Sequence, residues 1–517
     1  MFFRFLSIAL PLAVLASAQI PRTAQGRPNL QGIWLADSRA AYDLRDHAAR
    51  DGMPAGRSVL DSPEIPYKPE LEAKRLANYK NRKTADPLAQ CFLPGVPRIM
   101  YMEYPYQIFQ TADHVAIAFE WSLVHRLIYT NGKPSPHETE AWMANSRGKW
   151  EGDTLVVDVT SHNDKTWFDM AGDFHSDALK VTERYTMKDA DTIQYEATIE
   201  DPKTFTKPWK ITVPLVRQKH MDRLMEYQCQ SEKEEASGDF ERDLRTWYPE
   251  PGTPPSPLGK PAVFPQVPEP APVKVGTNLK RNADGKPNLT GYYNSQAGGA
   301  NYGLEKHARD FLTPATQGVV MDPPDRLLPY QAWAKAERTE RELPRRGYDD
   351  PTAHCFVAGV PRSMYTPSPY QILQPPGYVV ILFERMSWRI IPLDGRAHIP
   401  DTIRLWQGDS VGKWDGDTLV VDTTNFNGKT WLNEVGEVVS HAEHVTERFT
   451  PTADGKITYR ATISDPIPYT RPWTIEIPLS RDDKEELLEV ACHEDNVDLQ
   501  HLKDVRDEYR AQQKKGN

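Results

Sequence analysis

Two glutamates with the same neighbours are the first candidates for chemistry. Glu183 lies between Val181 and Tyr185, and Glu447 between Val445 and Phe449. In an alternating strand each carboxylate shares the inward face of those apolar neighbours. A carboxylate placed there must be paired or protonated. Arg126 and Arg389 are the matched cations, and Glu120 and Glu384 can join the cluster. A buried acid beside a cation in an apolar cavity suits proton transfer. The same pair can instead fix strand register, and its presence in both halves favours that structural use. The histidines differ between halves. His125, His162 and His175 stand where the second half has Trp388, Phe426 and Val439, and the second half has His441 and His444 instead. His175 and His441 are acid–base candidates near neutral pH, solvated loop histidines being the plainer reading. His441-x-x-His444 could supply two metal ligands, but no third ligand has diagnostic spacing, so no metal is expected. The Asp153/Asp158 and Asp417/Asp422 pairs read as turn or edge caps. The candidate catalytic set is therefore Glu183, Arg126 and His175 with Glu447, Arg389 and His441.

These residues sit in a duplicated framework. Cys91-Phe92-Leu93-Pro94-Gly95-Val96-Pro97-Arg98 returns as Cys355-Phe356-Val357-Ala358-Gly359-Val360-Pro361-Arg362, and Gly148-Lys149-Trp150 through Asp158 returns as Gly412-Lys413-Trp414 through Asp422. So long a period means two whole domains and not a solenoid. Alternation predicts eight strands in the first copy: 106–111, 115–121, 125–130, 149–160, 180–187, 192–200, 209–216 and 224–229, with the set repeated in the second. Sequential antiparallel strands remove their edges by closing into an up-and-down barrel, an open sandwich being the competitor. The expected fold is mainly β: two tandem calycin- or lipocalin-like barrels with N-terminal extensions, helical over 70–80 and 330–343, and a C-terminal amphipathic helix. The divisions are a signal peptide over 1–18, barrels over 19–248 and 276–497, a proline-rich spacer over 249–275, and the helix over 498–517.

A net charge of -10 argues against a nucleic-acid partner. Arg4, the apolar run Phe5–Leu15 and Ala16-Ser17-Ala18 read as an export signal cleaved after Ala18, and no later stretch is apolar enough to span a bilayer. The mature chain is expected in the periplasm or outside the cell. The four cysteines fall as one pair per copy, Cys91 with Cys229 and Cys355 with Cys492, which suits one disulfide per copy in an oxidising compartment.

The blocks G-[RK]-P-N-L-x-G, C-F-x-x-G-V-P-R, G-K-W-x-G-D-T-L-V-V-D and V-T-E-R-[YF] resemble those of a group of secreted bacterial proteins expanded in soil bacteria, over nearly the whole mature chain. That resemblance implies no particular activity. The strand pattern is more distantly similar to tandem lipocalin-like proteins, which include carotenoid hydratases and pericyclase-type enzymes working without metal or nucleotide. P-loop, G-x-S-x-G, G-x-G-x-x-G and H-E-x-x-H motifs are absent from the chain, so no cofactor is expected. The 13 tryptophans suggest a pocket for a bulky apolar or aromatic small molecule, with Trp121, Trp142, Trp167, Trp388, Trp406 and Trp431 as candidate walls. The alternatives are a cofactor-independent lyase, hydratase or isomerase, or a non-enzymatic interaction protein.

Overall fold

The computed structural model describes residues 20–137, 139–231, 261–309, 313–494 and 496–516. The expected export signal and the expected spacer up to residue 260 lie outside these. Nine strands make the first repeat: β1 (Gly32–Ala36), β2 (Tyr106–Gln110), β3 (His114–Phe119), β4 (His125–Tyr129), β5 (Asn145–Glu151), β6 (Thr154–Thr160), β7 (Lys180–Met187), β8 (Thr192–Glu200) and β9 (Trp209–Arg217). They close into a barrel, because β1 pairs antiparallel with both β2 and β9. Helix α1 (Glu72–Ala85) lies in the long segment between β1 and β2.

The second repeat follows the same plan with β10 (Gly291–Ser295), β11 (Val320–Asp322), β12 (Tyr370–Leu373), β13 (Tyr378–Phe383), β14 (Ser387–Pro392), β15 (Asp409–Asp415), β16 (Thr418–Thr424), β17 (His444–Ala453), β18 (Lys456–Ser464) and β19 (Trp473–Arg481), plus α2 (Ala332–Arg341). Its strand order runs from β14 through β10 and β19 to β15, so it is nearly closed, without a ladder joining β14 to β15. Helix α3 (Val497–Gly516) ends the chain. The spacer from 261 runs along this barrel, with Ala262 N donating to the Pro466 carbonyl and Gly276 N to that of Pro451.

Alternation put most strands in the right place, with three differences. The stretch 149–160 is a hairpin, because Gly152 takes a left-handed φ of 60° between β5 and β6. The barrel is closed by β1, a short strand that starts at the last glycine of the G-[RK]-P-N-L-x-G block. The last expected strand, 224–229, is not one; this segment and its counterpart 487–492 cross to the other repeat as extended straps. The up-and-down order is also broken once, because β4 and β5 meet in parallel at Tyr129 and Arg147. The excursion over 130–144 carries the chain back across the barrel mouth before β5 begins.

Each barrel has its own apolar core, with Trp34, Ile117, Val157, Tyr195 and Ile211 in the first and Tyr293, Ile381, Val421, Tyr459 and Ile475 in the second. A third cluster joins them: Phe109, Ala116, Ala118 and Leu123 pack on Leu373, Val380, Leu382 and Trp388. Strands β2, β3, β12 and β13 are thus apolar on both faces, one for the core and one for the seam. The disulfides are Cys91–Cys229 and Cys355–Cys492, each tying a strap to the loop before β2 or β12 of its own repeat. Such pairs fit an oxidising location. No helix among the described residues is long and apolar enough to cross a membrane.

Candidate functional site

The two glutamate–arginine pairs lie inside the barrels and are fully engaged. Arg126 donates to both oxygens of Glu183 at 2.9 and 2.5 Å, while its Nε donates to Ser146 Oγ at 2.9 Å. Tyr195 donates its hydroxyl to the same carboxylate at 2.7 Å. In the second barrel Arg389 forks onto Glu447, with Ser410, Thr423 and the Tyr459 hydroxyl completing the set. Glu183 and Glu447 are both wholly buried. A carboxylate saturated by a bidentate guanidinium and a phenol is built for holding β4 against β7 across the barrel, or β14 against β17.

The remaining candidates scatter. His175 is buried with both nitrogens used, Nδ1 donating to the Ser176 carbonyl at 2.9 Å and Nε2 accepting from Thr166 Oγ1 at 2.6 Å (the tautomer follows from the carbonyl). It is therefore an interior residue and not a rim histidine. Next to it, 5.8 Å between ring centroids, lies His162. Neither ring nitrogen of His162 reaches a partner at hydrogen-bond geometry, although the Val159 carbonyl lies near enough to act on its charge. Burial, then His175 and Arg126, push its pKa down to about 3, so the ring is neutral. His441 is half-buried, and its carbonyl accepts from Arg404. His444 donates toward Asp422 at 2.6 Å. Neither belongs to a three-ligand cluster among the described residues. The one such cluster among the described residues is Asp43, Asp169 and Asp173, in which Arg45 holds Asp173, Arg50 holds Asp43, and the Leu44 and Asp173 amides donate to Asp169.

The tryptophans do not share one cavity. Trp121 is core, Trp167 is half-buried near Phe174, Trp406 stacks on Phe356 at 4.4 Å, and Trp431 lies under Arg341. Trp388, Trp142 and Trp406 have a feature in common, because all three make contacts across to the other repeat.

The seam is reciprocal, as contacts between two-fold-related subunits are. His125 on β4 meets the Phe383 carbonyl of the second barrel at 2.9 Å, and Trp388, its counterpart on β14, donates Nε1 to the Phe119 carbonyl of the first at 2.8 Å. The straps exchange likewise. Glu226, from the first repeat, accepts the Trp406 and Gln407 amides at 2.5 and 3.0 Å. Glu489, from the second, accepts the Trp142 and Met143 amides, both at 2.8 Å. Burial raises each of these carboxyls to about 7, with the backbone donors pulling the other way.

At each crossing a cavity lies between barrel mouth and strap, and the two are unequal. The one lined by Trp388, Arg389, Glu226 and Ser410 holds about 60 Å³. The one lined by His125, Arg126, Trp142, Ser146 and Glu489 holds about 350 Å³, with Tyr129, Leu127, Met143, Met386 and Leu487 as apolar wall and Glu140, Asp164 and Lys165 at an exposed rim. An indole in place of an imidazole accounts in kind for the filled mouth. Alternation could not locate this site, because it says nothing of which outward face meets another barrel. The repeated L-x-E-x-x-C of 224–229 and 487–492 was the available signal.

The chain matches no family model, no curated protein and no solved structure in such comparisons.

Proposed function

We propose that this is an exported two-barrel carrier that holds one small aromatic or otherwise apolar molecule at the mouth of its first barrel. The observation that carries the reading is the inequality of two equivalent mouths, about 350 Å³ against about 60 Å³. A volume of roughly 300–1,000 Å³ is the usual range for a small-molecule site. The wall offers Trp142, Met143, Met386 and Leu487 to a ring, and His125, Asn163 and Lys165 to its polar substituents. The paired cysteines and the leader suit a carrier working outside the cytoplasm.

An enzymatic reading has to run through Glu489, the wall carboxyl that titrates near neutrality. Its twin Glu226 has the equivalent pair of backbone donors, Trp406 and Gln407, and a similarly raised pKa where there is almost no cavity, which favours a joint over a catalyst. Titration with neutral bicyclic aromatics such as 2-naphthol, followed by tryptophan fluorescence and native mass spectrometry, tests the carrier. One bound molecule per chain is expected. His125→Trp, which gives the first mouth the residue of the second, is expected to abolish that binding and leave the fold intact. A silent panel across wild-type protein counts decisively against the reading.

A further inference from the structure

The strap that walls the large cavity is held in an unusual way. Residues 482–494 leave β19, pass across the first barrel's mouth and return to their own repeat at Cys492–Cys355. Their grip on the first barrel is almost entirely carboxylate. Glu485 meets His137 at 3.1 Å, Glu486 forks onto Arg147, Glu489 takes two backbone amides, and Glu494 takes Lys165 and Trp142 Nε1. The Tyr129 hydroxyl accepts from Leu487 N at 3.2 Å. Of its apolar side chains, Leu487 and Ala491 are only partly buried against the seam and the first barrel's core, while Leu488 is 43% exposed and Val490 is 39% exposed.

The first repeat supplies the internal control. Its strap uses Leu224, the counterpart of Leu487, as a buried member of the seam cluster, whereas Leu487 is only partly buried against it. Tyr227 packs in a tilted arrangement on Tyr104 of its own repeat, with ring centroids 4.7 Å apart. That strap closes over a filled mouth. Each strap is also tied to its own barrel in the same manner, Met225 and Tyr227 to Glu120, Leu488 and Val490 to Glu384. Both straps also hold the other barrel through charged groups, the first by Arg223 on Asp409 at 2.7 Å and by Glu226 on the Trp406 and Gln407 amides. The difference therefore lies in the apolar anchoring: Leu224 is buried in the seam and Met225 and Tyr227 are half-buried, where Leu487 is only partly buried and Leu488 and Val490 are exposed. Segments that bury little apolar surface and depend on partly exposed polar contacts open first, and ionic contacts of this kind weaken with salt.

Resting on the carrier reading, we propose that residues 482–491 are a hinged side wall that parts from the first barrel to admit and release the ligand, while the equivalent 219–228 strap stays shut. Hydrogen exchange on the full chain reads this without any ligand. The 482–491 amides are expected to exchange about tenfold or more faster than those of 219–228, and faster still in 0.5 M than in 0.05 M salt. Arg147→Ala, which frees Glu486, is expected to raise both the association and the dissociation rate of 2-naphthol by about tenfold, with affinity changed less than about twofold, because only the opening step is altered. Arg223→Ala in the other strap is expected to change neither rate.

Equal exchange in the two straps, or unchanged 2-naphthol rates in Arg147→Ala, overturns the hinged wall. Fast exchange of 482–491 in a protein that binds no 2-naphthol supports the moving wall and overturns the carrier.

Discussion

Single positions where the two repeats disagree say more than those where they agree. Glu443 is buried with neither carboxyl oxygen partnered, and burial, then Asp465, push its pKa well above the carboxylate range. The first repeat has Leu179 there, buried in its core. Glu443→Leu should therefore raise unfolding stability by about 2 kcal/mol, read from urea or thermal denaturation, because an unsatisfied polar group is replaced by a core residue. His162, which is Phe426 in the second barrel's core, is the mirror case. Glu183 and Arg126 were legible from alternation alone, because a glutamate between inward apolar residues needs an inward cation. Their saturation was not, since it depends on Ser146 and Tyr195 arriving from other strands.

At the level of elements, the barrels follow from pattern and the straps do not. An extended segment such as Leu224–Cys229 has the composition of a strand, and only its partners decide that it bridges barrels. The double apolar faces of Tyr106–Gln110 and His114–Phe119, buried along nearly their whole length, were a readable sign that something covers the outside. The straps also set a pH dependence. Glu226 and Glu489 titrate at about 7 when folded, above the ordinary 4.5. Each therefore holds its proton more tightly in the folded protein, a contribution fully present below pH 4.5 and lost as pH rises through about 7. Between pH 5 and pH 8 wild-type protein should lose about 1–2 kcal/mol per carboxyl more than a Glu226→Gln/Glu489→Gln variant, a figure discounted for their half-buried positions. Urea titrations at the two pH values measure the difference.

For the molecule as a whole, the seam makes two barrels into one body. Phe109, Leu123 and Trp388 bury apolar surface there, Met386 of the second repeat enters the first barrel's core cluster, and two straps cross. A protease site introduced into the spacer near residue 255 should therefore give two fragments that stay together in size-exclusion chromatography and native mass spectrometry at neutral pH. Separation of the halves would mean that the covalent link, and not the seam, holds them.

The covalent link has another effect. Two identical chains meeting through this seam would carry the same residue at both crossings, so each would be filled by tryptophan or each left open. With both copies on one polypeptide, a tryptophan at 388 and a histidine at 125 can coexist. One crossing is then free to become a rivet, while its twin keeps a cavity of about 350 Å³.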